Sequence, residues 1–136
     1  MIAVLVITHE HIGAAYSALV KHFFNDVPPH IALIGVMPDQ DLDNVRQSVE
    51  NALAAFPENS GVLALTDIFG ATPFNAARRF VSPDFSLLAG LNAPMMVKAV
   101  QYSAEANNLH DFAAAVRDAG IRGIVFSETE QGDRPC

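Results

Sequence analysis

The chain opens on an unbroken apolar run, Ile2-Ala3-Val4-Leu5-Val6-Ile7, followed at once by Thr8-His9-Glu10-His11. A strand with one wet face alternates apolar and polar residues. A run without alternation predicts a strand buried on both faces, the signature of a parallel sheet covered by helices on each side. Directly behind it Ile12, Tyr16, Leu19, Val20 and Phe23 recur at helical spacing. A histidine is therefore expected at the carboxyl end of a buried parallel strand, in the turn that opens a helix. Open α/β sheets collect their reactive and ligand-binding groups there.

The rest of the chain repeats this alternation. Strands are expected at 2–7, 31–36, 61–66, 85–90 and 121–126. Helices are expected at 11–24, 42–56 and 73–80, then from 91–96 onward, and at 108–119. Asn25-Asp26-Val27-Pro28-Pro29 and the stretch Pro57 to Gly61 break the pattern. Asp39 or Asp41 suits the cap of the second helix, Thr72 that of the third with Pro73 at its first position, and Asn108 that of the last. Gly120 is read as the stop of that last helix. The order predicts an α/β fold: a three-layer α-β-α sandwich around a doubly wound, mainly parallel sheet. One domain, 1–126, is expected, with a polar tail over 127–136.

Composition narrows the function classes. Hydrophobic residues at 51% against 17% charged argue for a packed core rather than disorder. A net charge of −7 argues against nucleic acid or an anionic membrane as the main partner. The single cysteine, Cys136, allows no disulfide within the chain and suits a reducing cytoplasm. No apolar run approaches the length of a membrane span, and the amino terminus lacks the basic flank of a signal peptide.

Three strand ends carry polar residues: His9, Asp67 and Asn92. If the first and third strands are neighbours, His9 and Asp67 face each other across the carboxyl edge. A carboxylate bonded to one imidazole nitrogen sets the tautomer and leaves the other nitrogen free as a nucleophile. Alone, Asp67 reads more readily as a helix cap or turn former. Phe69-Gly70-Ala71-Thr72-Pro73 then places the N–H groups of Gly70, Ala71 and Thr72 where an anion would sit. Together these suggest a phosphohistidine site, with Thr8, Phe69 and Asn92 as possible pocket residues. His9, Glu10, His11 and Asp67 lack the spacing that presents two metal ligands on one helix face, so no metal is expected and no cofactor is called for. His22 falls late in a helix, and His30 and His110 fall in expected surface turns. Met95 and Met96 read as core, and Arg78 and Arg79 as solvated or rim residues.

The segments Ile2–His9 (IAVLVITH), Gly61–Asn75 (GVLALTDIFGATPFN) and Gly90–Met95 (GLNAPM), with the element order, carry a resemblance. The chain resembles the EIIA domain of the mannose-fructose-sorbose class of the bacterial phosphotransferase system, over roughly 1–126. The resemblance implies a phosphotransferase: a phosphohistidine carrier that accepts a phosphoryl group from HPr and passes it to a EIIB domain for carbohydrate uptake. His9 matches the family's acceptor and Asp67 the aspartate that hydrogen-bonds it. Thr72 stands where a serine is common, and Glu10 where glycine is usual. The family fold implies four parallel strands and a fifth, antiparallel strand, here 121–126, exchanged within a homodimer. No linker or EIIB domain follows the last strand, which implies a free-standing EIIA meeting the membrane only through a transporter. A regulatory phosphorelay module and the phosphotransfer subunit of a dihydroxyacetone kinase are the alternatives.

Overall fold

Why the opening run has no polar position is plain from where it lies. In the computed structural model, which describes residues 1–128, β1 (Ile2–His9) runs between β2 (Ile31–Val36) and β3 (Gly61–Thr66), with β4 (Phe85–Ala89) beyond β3. All three pairings are parallel, with Ile7 opposite both Ile34 and Thr66, and Thr66 opposite Ala89. Successive side chains of β1 enter opposite layers. Val4 and Val6 pack with Leu63, Leu65, Met96, Phe112 and Val116. Ala3, Leu5 and Ile7 pack with Val45, Val49, Ala76 and Ala77.

The first layer is closed by α1 (Ile12–Phe24), α4 (Ala93–Tyr102) and α5 (Leu109–Arg122), the second by α2 (Leu42–Ala55) and α3 (Thr72–Arg78). This is the expected three-layer sandwich, with chain order reversing between β1 and β3. Of the two cap candidates for α2, Asp41 is used. Its carboxylate accepts from the Asn44 N–H at 2.8 Å, and the Asn44 side chain accepts from the Asp41 N–H at 3.4 Å. Asn108 caps α5 as expected, accepting from the Asp111 N–H at 2.9 Å.

Four expectations need correction. Gly120 does not stop α5, which continues to Arg122 and takes Gly123 as its cap. Gly120 is a contact glycine: a Cβ there would collide with Met95 Cγ and lie 2.8 Å from its Sδ, so the missing side chain lets α5 close on α4. Residues 121 and 122 are thereby helical. Residues 124–126 form no strand within the described chain, and Ile124, Val125 and Phe126 are exposed. Next, Thr72 is the first residue of α3, Pro73 the second, and Ala71 occupies the cap position without a side-chain bond. Finally, His30 is buried rather than on a surface turn. Its Nε2 lies 2.7 Å from the Oγ of fully buried Ser103, the residue that caps α4.

Candidate functional site

The site is built where β1 and β3 end side by side. His9 is still in register with Val36 of β2, and the next amide, that of Glu10, donates to the Val36 carbonyl at 2.8 Å. The chain then turns sharply, with Glu10 at φ 37°. Gly35 makes this turn possible, because a Cβ on it would collide with the Glu10 carbonyl oxygen. The imidazole is thus carried on a strand whose two flanks are both paired.

Asp67 follows the last residue of β3 and grips His9 twice with one oxygen. Its Oδ2 accepts from the His9 backbone N–H at 2.9 Å and lies 2.8 Å from His9 Nδ1. Its Oδ1 accepts from the Ile68 N–H at 3.0 Å. Burial pushes the Asp67 carboxyl up. The hydrogen bonds from the His9 amide and ring, together with the His9 charge, outweigh that, and the net shift is downward from 3.8. Asp67 is therefore a carboxylate at neutral pH and can only accept. Nδ1 must carry the proton it shares, so in the neutral ring Nε2 holds the free lone pair. The Asp67 side chain is 8% exposed and that of His9 39%, so the carboxylate is shielded while the imidazole remains reachable.

The loop after β3 brings the third component. Gly70 has φ 81° and open space where a Cβ would stand, so glycine serves here for its backbone freedom. The Ala71 N–H donates to the Ile68 carbonyl at 3.4 Å and Asn75 Nδ2 to the Gly70 carbonyl at 3.0 Å, which holds the loop against α3. Thr72 reaches a cavity of about 200 Å³ that it shares with His9, Glu10, Val36, Met37, Pro38 and Gln40. Phe69 is 76% exposed and leans on Phe74, ring centroids 4.7 Å apart. A larger cavity, about 730 Å³, lies away from His9 between α1, α4 and the end of α5.

The other residues singled out in the sequence are placed differently. Thr8 is fully buried under α1, its Oγ1 without a hydrogen-bond partner and close to Gly13. Asn92 caps α4, accepting from the Met95 N–H at 3.1 Å and donating to the Gly120 carbonyl at 3.0 Å, so its polar atoms are committed to the helices. Among the described residues no group of three or more His, Cys, Asp or Glu is arranged to hold a metal. Sequence reasoning missed Tyr16, counted there as part of an apolar stripe. Its hydroxyl donates to the Leu91 carbonyl at 3.4 Å, and burial, then the Asp67 charge, raise its pKa above 10.0, keeping it a neutral donor. It also missed an apolar rim. Ile12 at the start of α1, Met37 after β2, and Ile68 and Phe69 after β3 are all exposed at the edge where His9 stands. The only signal for it was that these apolar residues follow strand ends, where turns are usually polar.

Comparison with known proteins bears on the family and the fold. Residues 3–117 match the EIIA-man family, described as PTS system fructose IIA component. The chain is 30% identical over 100 residues to the PTS system fructose-specific EIIA component of Bacillus subtilis, covering 72% of this chain and 68% of that protein. It is 27% identical over 127 residues to the PTS system mannose-specific EIIAB component of Escherichia coli, covering 90% of this chain but 38% of that protein. The chain thus spans well under half the length of that curated relative. A crystal structure of phosphotransferase system component EIIA from Streptococcus agalactiae superposes with a TM-score of 0.84 at 22% identity, covering 93% of this chain and 97% of that one, a likeness of fold. With a family match over most of its length and the same three-layer architecture, the chain belongs to the EIIA-man family and is a phosphotransferase-system EIIA component of the mannose, fructose and sorbose class.

Proposed function

We propose that His9 accepts a phosphoryl group on Nε2 from phosphorylated HPr and passes it to a EIIB domain for carbohydrate uptake. The observation that carries this reading is the double grip of Asp67 Oδ2 on the amide and Nδ1 of His9. It leaves Nε2 as the free nitrogen, on a side chain that is 39% exposed. In the transfer the donor's N–P bond breaks as the His9 Nε2–P bond forms, and the electron pair of the broken bond stays on the donor nitrogen. The transferred group brings about two negative charges. The N–H groups of Gly70 and Thr72 are the donors proposed to receive them, since that of Ala71 is already bonded to the Ile68 carbonyl.

The exposed rim of Ile12, Met37, Ile68 and Phe69 supports a protein, rather than a small phosphate ester, as the donor. Apolar patches of this kind mark protein docking sites. We further infer a homodimer, since the exposed run Ile124, Val125 and Phe126 is what an exchanged strand leaves unpaired in a single protomer. Among the described residues no helix is long and apolar enough to cross a membrane, in keeping with a carrier working on the cytoplasmic side of a transporter.

Incubation with phosphoenolpyruvate, enzyme I and HPr tests the acceptor. Acid-labile, alkali-stable phosphate is expected on His9, lost in His9→Ala and largely kept in His11→Ala. Mass spectrometry placing the phosphate on His11 of the unmodified chain refutes the assignment.

A further inference from the structure

Of the described residues outside glycine, three have positive φ: Glu10, Asn25 and Asn59. Asparagine visits this region readily, whereas a glutamate there is held against its preference. What holds Glu10 is on both sides of it. Its N–H is bonded to Val36, and its carbonyl occupies the space that Gly35 leaves open. A side chain costly to place at this turn follows the reactive histidine directly. Glu10 is exposed and lines the same small cavity as His9, Gln40 and Thr72. Among the described residues no cation lies within ion-pair distance of it, the recorded pairs being His9–Asp67, Arg46–Asp43 and Arg117–Asp118. Its charge is left to solvent and to whatever enters that cavity.

We infer that Glu10 sets the phosphoryl-transfer potential of His9: its uncompensated carboxylate destabilises the phosphorylated ring and biases the carrier toward giving the group away. This rests on His9 being the phosphoryl acceptor proposed above. The repulsion acts on the product of the first transfer and the reactant of the second, so it lowers the steady occupancy of phospho-His9 and favours release to the acceptor. No bond to Glu10 forms at any stage; it acts through space on the transferred group. A through-space repulsion of this kind is screened by salt, whereas a packing effect is not.

The test is the equilibrium between phosphorylated HPr and this chain, read as the phosphorylated fraction of each by intact-mass spectrometry. It is run for the unmodified chain, Glu10→Gln and Glu10→Gly. Gln keeps the strained backbone and removes the charge; Gly removes both. At an ionic strength of about 0.01 M both variants are expected to shift the equilibrium toward phospho-His9 by about threefold to tenfold, and at about 1 M that difference should largely vanish. The HPr side of the equilibrium is common to all three and cancels in the comparison. An unchanged equilibrium in Glu10→Gln at low salt overturns the inference. So does a shift that persists undiminished at high salt, or one shown by Glu10→Gly alone, since either reports the backbone rather than the charge. If the unmodified chain takes no phosphate, or His9→Ala still does, the acceptor assignment itself fails, and this inference with it.

Discussion

Replacing Asp67 by alanine removes three accepted hydrogen bonds at once: from the His9 amide, the His9 ring and the Ile68 amide. The ring loses the partner that fixes its tautomer, and the His9 and Ile68 N–H groups lose theirs. A hydrogen bond to a charged group is worth about 1.5–3 kcal/mol, and each tenfold in rate corresponds to about 1.36 kcal/mol. If the ring bond is realised in full during transfer, its loss slows phosphoryl acceptance by about tenfold to 150-fold. The fold should survive, because the carboxylate belongs to the sheet edge and not to either apolar layer. The assay is rapid-quench transfer from phosphorylated HPr, with circular dichroism and a melting curve on the same samples. A folded Asp67→Ala chain that accepts phosphate at the unmodified rate refutes the reasoning. The pH dependence supplies a second check. The Asp67 carboxyl lies below its ordinary 3.8 in the folded chain. The unfolded chain therefore takes up this proton first as pH falls, so the stability from Asp67 is present above about 3.8 and is lost as pH drops through the folded value. The stability gap between the unmodified chain and Asp67→Ala should narrow over that acid window.

His30 makes the same argument at milder pH. Its burial, with a smaller effect of the amino terminus, lowers its pKa below 6.5, so stability should fall as pH drops below about 6.5 in urea unfolding, and His30→Gln should flatten that slope; equal slopes refute it. For the dimer, deletion of residues 124–136 should turn a sedimenting dimer into a monomer, whereas an intact chain that is monomeric at micromolar concentration rules out the exchange.

What was legible in advance followed from topology. An apolar run with no alternation demands cover on both sides, and chain order through a parallel sheet then brings the carboxyl ends of β1 and β3 together. His9 and Asp67 could be paired on paper for that reason. What was not legible depended on close approaches between distant segments. Gly120 carries the same letter whether it ends a helix or lets Met95 in. His30 is buried because the end of α4, 73 residues further on, arrives against it. Tyr16 has the spacing of a core residue, and its polar tip acquires a role only from Leu91 and Asp67. The turn at Glu10 is visible only once Gly35 is seen to yield space to it.

The shared oxygen of Asp67 has a consequence for the proposed relay, in which two different proteins would use one nitrogen in succession. Because the amide and the ring of His9 are tied to the same atom, turning the ring over would break its bond while leaving the amide bond in place, and nothing on the other side of the ring offers an equal partner among the described contacts. The rotational freedom that an exposed histidine gives up on being captured, of the order of 1 kcal/mol for a side chain of this size, has already been surrendered during folding. The proposed donor and acceptor would therefore meet the same lone pair on the same bearing, and neither would have to spend its docking energy on aiming it.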